Sequence, residues 1–315
     1  MAKQQRRRIR YPVNGWLVLD KPLNLTSNQA LGKLKRVFNP EKVGHAGTLD
    51  PLASGCLPIA FGEATKTVPF VMGGRKVYQF EVTWGTQTST DDAEGDVIAS
   101  SDQRPTREEI ENVLPQFQGE IMQVPPKFSA IKVDGNRAYD LARDGKDVEL
   151  EARPIDIHRL TLREIIDENK AVFEAECGKG TYVRSLARDI ALELGTRGYV
   201  TGLRRLLVGS FGEADMVTLE ELEDAAGQLE EGQSPLESAE LMEALLPVES
   251  GLSLLEGVTV NGEAAQRLKR GMPIILRGAN APIGPEDIYV TSGGTLIAFG
   301  EVSKGEFKPK RVFNL

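Results

Sequence analysis

The chain has 315 residues, 40% hydrophobic and 27% charged, a globular balance that favours one large domain plus a small one at roughly 150 residues per domain. No apolar run approaches the roughly 18–20 residues a bilayer-spanning helix needs, and the basic start Met1–Arg10 lacks the apolar stretch of a secretory signal. The net charge of −8 does not exclude a nucleic-acid partner. No Lys or Arg lies between Arg205 and Arg267, where Asp and Glu number 14, so the rest of the chain carries a surplus of six positive charges.

In chain order, residues 1–10 read as a basic disordered arm. Trp16-Leu17-Val18-Leu19 is a short apolar run expected to form a buried strand, ended by the turn signal Asp20-Lys21-Pro22. Ser27 or Asn28 is expected to cap a helix whose apolar face is Ala30, Leu31, Leu34, Val37 and Phe38. Tyr78, Phe80, Val82 and Trp84 alternate with polar residues, as on a half-buried strand. Thr106 with Glu109, and Thr218 with Glu221, have capping-box spacing. Pro125 to Pro154 is rich in turn residues and reads as an inserted excursion. Phe173, Ala175 and Cys177 alternate on a further strand. It breaks at Gly178-Lys179-Gly180, after which Thr181 is expected to cap a helix stopped by Gly195. From about residue 251 a short helix near 262–270 and strand-like runs at 273–276, 288–291 and 295–299 suggest a small, mainly β domain.

Cys56 and Cys177 are far apart and have no Cys-x-x-Cys partner, which suits buried thiols in a reducing, cytoplasmic setting. His45 and His158 are the only histidines, so no metal site of usual zinc spacing is expected. The segment from Gly44 to Gly55 holds three glycines and a proline in twelve residues, a tight loop able to present the Asp50 carboxylate at a fixed angle. It lacks the Gly-Lys-Ser/Thr ending of a phosphate-binding loop, and no G-x-G-x-x-G follows a strand. Taken alone, such a loop is more often a turn than an active site.

This segment resembles the catalytic loop of the tRNA pseudouridine synthase B family, close to Gly-His-x-Gly-x-Leu-Asp-Pro. Further blocks resemble the same family in order: Asp20-Lys21-Pro22 with Ser27-Asn28, Gly62–Lys66, Lys76-Val77-Tyr78, Lys127–Lys132 with Gly135 and Arg137–Tyr139, Lys179–Arg184, and Leu203–Leu206. Ala46 stands where the family often has Thr, and Ser89 where it frequently has Asp. The resemblance implies an α+β pseudouridine synthase fold over 11–248, with a mixed, mostly antiparallel central sheet flanked by helices. It also implies an RNA-gripping insertion at 126–153, carrying Lys127, Lys132, Arg137, Lys146 and Arg153, and a small PUA-like RNA-binding β domain at 251–315.

The implied activity is conversion of uridine to pseudouridine at position 55 of the tRNA T-loop, on a flipped-out base. The implied partner is the tRNA T-arm, with no membrane, no metal, no cofactor and a monomeric enzyme. The exchange of a C–N for a C–C bond is redox-neutral and releases nothing, which is why no cofactor is required. By resemblance Asp50 is catalytic, whether it adds to the sugar, adds to the base or takes a sugar proton. Burial would disfavour its charged form, and Arg184 is implied as the partner that holds it. Tyr78 is implied to stack on the uracil and assist loss of the C5 proton. Tyr182 and Leu203 are implied to line the pocket, His45 to contact RNA, and Lys21 and Lys66 to support the site. Two rivals remain open at this stage. One is an RNA-folding protein without catalysis. The other is a uridine methyltransferase, which needs a cofactor loop or a reactive cysteine that Cys56, in Ser54-Gly55-Cys56-Leu57-Pro58, does not resemble.

Overall fold

The computed structural model describes residues 9–128, 132–133, 136–137, 150–230, 232–276 and 286–315. The expected basic arm, apart from Ile9 and Arg10, and most of the expected gripping insertion, with the side chains of Lys132, Arg137 and Lys146, lie outside the described residues.

The first strand, β1 (Gly15–Lys21), is apolar on successive positions because both of its faces are covered. Leu17 and Leu19 join one core with Ala30, Leu31, Leu34 and Phe38, while Trp16 and Val18 join another with Val71, Val208 and Phe211. Helix Ser27–Phe38 supplies the cover of the first face, and its apolar residues fall on one side as their spacing requires. Its cap differs from expectation. Thr26, not Ser27 or Asn28, accepts the Gln29 backbone N–H at 3.1 Å, and Gln29 returns a bond to the Thr26 N–H at 2.8 Å. Ser27 lies inside the helix and its hydroxyl turns to another task, described below.

The remaining strands of the first unit are β2 (Val43–His45), β3 (Ala53–Phe61), β4 (Lys76–Trp84), β5 (Thr86–Thr88), β6 (Val97–Ser100) and β7 (Gly119–Gln123). After the short antiparallel pair β8 (Lys132–Val133) and β9 (Asn136–Arg137) come β10 (Arg153–Asp167), β11 (Lys170–Cys177), β12 (Gly198–Val208) and β13 (Met216–Val217). The central sheet runs β13-β1-β3-β12-β4-β11-β10-β7, with β2 also on β3. Only the β1–β13 and β3–β12 pairings are parallel, so the sheet is mixed and mostly antiparallel, as expected. Phe80, Val82 and Trp84 of β4 point into a core shared with Phe173 and helix Val183–Glu193. The Phe80 and Phe173 rings stack at 5.4 Å.

Helix Val183–Glu193 starts without a side-chain cap, because the Thr181 hydroxyl bonds the Gly178 carbonyl instead. Buried Gln123 takes over: its side-chain oxygen accepts the Tyr182 N–H at 2.9 Å and its amide donates to the Tyr182 carbonyl at 3.2 Å. Both expected capping boxes, Thr106–Glu109 and Thr218–Glu221, are present.

The C-terminal β domain is a separate sheet ordered β14 (Glu256–Thr259), β16 (Glu286–Ser292), β17 (Thr295–Ser303), β18 (Glu306–Val312) and β15 (Ile274–Ile275). Strands β14 and β18 went unanticipated, because charged or glycine residues interrupt their apolar pattern. Ile288, Val290, Ile297, Val302 and Phe307 form its core with Leu268 of helix Gly262–Lys269. Phe299 meets Phe70 edge-on at 4.8 Å, and Leu296 and Phe313 enter the cluster that holds Trp16. The domain is therefore docked on the first unit through shared apolar contacts.

Candidate active site

The loop from His45 to Leu52 leads into the start of β3, which pairs with Leu203 in the middle of β12, and is held from three sides. Ser27 exchanges two hydrogen bonds with the Leu49 backbone, donating to its carbonyl at 3.0 Å and accepting its N–H at 2.8 Å. The Asn24 N–H binds the Pro51 carbonyl at 2.8 Å. From β12, the fully buried Arg205 donates to the carbonyls of Gly47 at 3.1 Å, Thr48 at 3.4 Å and Cys56 at 2.7 Å. Two glycines make this possible. Gly47 has φ of +93°, and Gly55 has φ of +96°, where a Cβ would lie 2.3 Å from the Arg205 carbonyl oxygen. Asp50 thus sits on a backbone fixed on either side of it.

The Asp50 carboxylate lies 3.0 Å from Arg184, and the two line a small open cleft with Leu52, Asp92, Thr201 and Leu203. Asp50 is not the buried member of the pair. Its side chain is 43% exposed, whereas that of Arg184 is 8% exposed. The loop lifts the carboxylate to the cleft mouth, and the first turn of helix 183–193 drives the guanidinium inward. Arg184 also pairs with buried Asp92 at 3.1 Å, and donates to the carbonyls of Thr90 at 3.1 Å and Phe128 at 3.0 Å. Asp92 is oriented in turn by the Thr90 hydroxyl at 2.5 Å and the Glu94 N–H at 3.0 Å. A guanidinium saturated in this way has one geometry open to it. One turn on, Arg188 repeats the device with Asp91 at 2.9 Å and the Val124 carbonyl at 2.9 Å.

Tyr78 and Leu203 come from the neighbouring strands β4 and β12; Leu203 lines the cleft, and both residues pack against two adjoining cores. Tyr78 pairs directly with Arg205 across β4 and β12, so their side chains share a face. Burial raises the Tyr78 pKa, and the adjacent Arg205 is the leading influence in the other direction. Lys21 is fully buried and donates to the Pro22 carbonyl at 2.8 Å and the Leu25 carbonyl at 2.7 Å. Burial lowers its pKa from 10.5 to about 8, against the attraction of Asp50 and with the repulsion of Arg205. His45 is half-buried at the start of the loop. Burial first and Arg205 second lower its pKa, and its Nδ1 has no partner among the described residues. Tyr182 is the half-buried residue immediately before helix 183–193.

Lys66 is placed elsewhere than expected. It pairs with Glu63 at 2.5 Å, donates to the Val312 carbonyl at 2.8 Å and lies over the Phe313 ring. It ties the C-terminal domain to the first unit, and its motif block resembles the family's without indicating which side of the turn the amine takes. The residues sequence reasoning missed are Ser27 in its anchoring role, Asp92 and Arg205. Arg205 lies two positions beyond Leu203, and a strand's period of two places it on the same face. No local signal marked Asp92, whose partner lies 92 residues away.

Both cysteines are buried, and burial pushes the thiols up to about 12 for Cys56 and about 11 for Cys177, which leaves neither as a ready nucleophile. No cluster of metal-ligating side chains occurs among the described residues. The arrangement offers one accessible anion on a rigid loop, a buried cation behind it, and flat apolar walls beside it.

Residues 35–183 match the model of the TruB family pseudouridylate synthase N-terminal domain, and residues 184–253 match the tRNA pseudouridylate synthase B C-terminal domain. A tRNA pseudouridine synthase B of Bradyrhizobium diazoefficiens is 57% identical over an alignment covering all of this chain and 91% of that protein. One of Agrobacterium fabrum is 54% identical, covering 99% of this chain and 98% of that protein. Among solved structures, a Cbf5–Nop10–Gar1 complex aligns at 26% identity and a TM-score of 0.71, covering 95% of this chain and 84% of that one. An H/ACA ribonucleoprotein bound to a substrate RNA containing 2′-deoxyuridine aligns at 24% identity and a TM-score of 0.74, covering 96% of this chain and 85% of that one, a likeness of fold.

Proposed function

The chain belongs to the TruB family of pseudouridylate synthases, and on that premise we propose that it converts uridine to pseudouridine in tRNA, at position 55 of the T-loop. The observation that carries this reading is the half-exposed Asp50 carboxylate, held 3.0 Å from a buried Arg184 at a cleft mouth. Near-full-length relatives named tRNA pseudouridine synthase B support the tRNA substrate.

The reaction breaks the C1′–N1 bond, turns the uracil and joins C1′ to C5, which gives up its proton. Three steps are open to Asp50: attack at C1′, addition at C6, or removal of the C2′ proton. Each needs an anion that reaches the nucleotide, and an exposed carboxylate steadied by Arg184 fits all three. Leu203 and the Tyr78 ring wall the base, and the Tyr78 hydroxyl is the group that assists departure of the C5 proton. His45 packs against displaced nucleotides, Tyr182 lines the uracil side, and Lys21 supports the loop from below. The base is extruded from the T-loop at a cost of about a few kcal/mol, offset by phosphate contacts from the insertion at 126–153, where Lys127 and Arg153 are exposed. The C-terminal β domain acts as a PUA-like RNA-binding module.

The test is tritium release from a T-arm stem-loop labelled at C5 of uridine. One equivalent is expected per RNA, and replacing the uridine at position 55 with cytidine is expected to abolish it. Release that is unaffected by that replacement sinks the assignment to position 55. No release from any tRNA sinks the activity for this chain.

A further inference from the structure

Arg205 is an anomaly by burial and charge. It is 1% exposed, and among the described residues no carboxylate lies within ion-pair distance of it. A buried cation without an anion is costly, and its place is ordinarily better filled by an apolar side chain of similar size. Its neighbours indicate what it does instead. The guanidinium spans three carbonyls, of Cys56 on β3 and of Gly47 and Thr48 on the loop that ends in Asp50. Tyr78 occupies the directly opposed position on β4, which puts its side chain on the same face as the guanidinium. The backbone is shaped around it, since Gly55 admits no Cβ against the Arg205 main chain.

We propose that Arg205 is a positioning residue of the reaction, whose buried guanidinium fixes the Gly47-Thr48 backbone that aims Asp50 and at the same time orients the Tyr78 phenol. The inference rests on the reading of Asp50 and Tyr78 given above. One side chain thereby couples the two groups given roles in the reaction, the Asp50 carboxylate and the Tyr78 phenol. Lysine in its place keeps the charge but has one donor centre, too few for three carbonyls and a phenol. Methionine keeps the apolar length and removes the donors. Burial raises the Tyr78 pKa, and Arg205 on the facing strand opposes that rise.

The experiment measures single-turnover tritium release and tRNA affinity for wild type, Arg205→Lys, Tyr78→Phe and the double variant. Wild-type release is the control: its absence defeats the proposed function, not this inference. With wild type active, Arg205→Lys is expected to slow release about a hundredfold while the dissociation constant for tRNA moves less than about threefold. In the Tyr78→Phe background the same change is expected to cost at least fivefold less, because part of its effect runs through the phenol. Arg205→Met is expected to be slower than Arg205→Lys. Should Arg205→Met fail to fold, the lysine pair of measurements still decides. A rate within threefold of wild type for Arg205→Lys, equal losses in the two Tyr78 backgrounds, or a loss confined to tRNA affinity overturns the proposal.

Discussion

The central sheet and the C-terminal β domain bury their interiors in different ways. Lys21, Lys76, Asp91, Asp92, Glu174, Arg184 and Arg205 are all buried, and all belong to the first unit. Beyond Arg205, the described residues bury only apolar side chains. The C-terminal core of Leu268, Ile288, Val290, Ile297, Val302 and Phe307 is what burial of apolar area alone produces. The central sheet keeps charges in positions where hydrocarbon would be more stabilising, and Asp92, Arg184 and Arg205 among them bear on the Asp50 loop. The difference separates a unit selected to hold together from one that also has to hold a reactive geometry.

That contrast breaks most severely at Asp50. Asp50→Asn keeps size and exposure but removes the anion. It is expected to lower single-turnover tritium release by about 10⁴-fold or more with tRNA affinity nearly unchanged. Asp92→Asn comes next. It leaves Arg184 with a weaker inner partner, and a loss of about 1.4–3 kcal/mol of orientation corresponds to a rate lower by about 10–100-fold. A rate equal to wild type would show that Arg184 needs only its carbonyl partners.

Lys21 sharpens the comparison through pH. The folded protein releases its proton at about 8, while an unfolded lysine releases it at 10.5. Between those values the unfolded state holds more protons, so unfolding free energy is expected to rise with pH across that window. The slope stays below about 1.4 kcal/mol per pH unit. Lys21→Met should remove that component of the slope in denaturant titrations at pH 8 to 10. An unaltered slope would mean that Lys21 is not the group responsible.

The smallest effect on chemistry is expected at Lys66. Lys66→Met is expected to lower stability by about 1 kcal/mol through loss of the Glu63 pair and the Val312 carbonyl contact. Its single-turnover rate should stay within about twofold of wild type. A hundredfold slower rate would return Lys66 to the pocket.

The same contrast governs how much could be read from the sequence. Strands β1, β4 and β11 were legible because hydrophobic pattern and burial coincide there. So were the capping boxes at Thr106 and Thr218, whose partners lie three residues on. The Asp50 loop was legible through its resemblance, and Arg184 with it. What escaped depends on contacts between distant segments. Thr26 capped the first helix with a Gln, which freed Ser27 to bind Leu49. Asp92 sits in a turn-rich Ser-Thr-Asp-Asp run, and only the fold brings it to helix 183–193. Asp50 itself was expected to be buried, yet a tight glycine loop on strand ends raises its tip toward solvent and leaves the burial to Arg184.

The central claim is that Arg184 acts by geometry, as a two-armed guanidinium fixed between Asp50 and Asp92, and not by charge alone. Arg184→Lys tests it most directly, because the charge stays and the fork is lost. Measured by single-turnover tritium release alongside tRNA binding, the account predicts a rate at least about a hundredfold lower with affinity within about threefold of wild type. A lysine variant that turns over at the wild-type rate would contradict it.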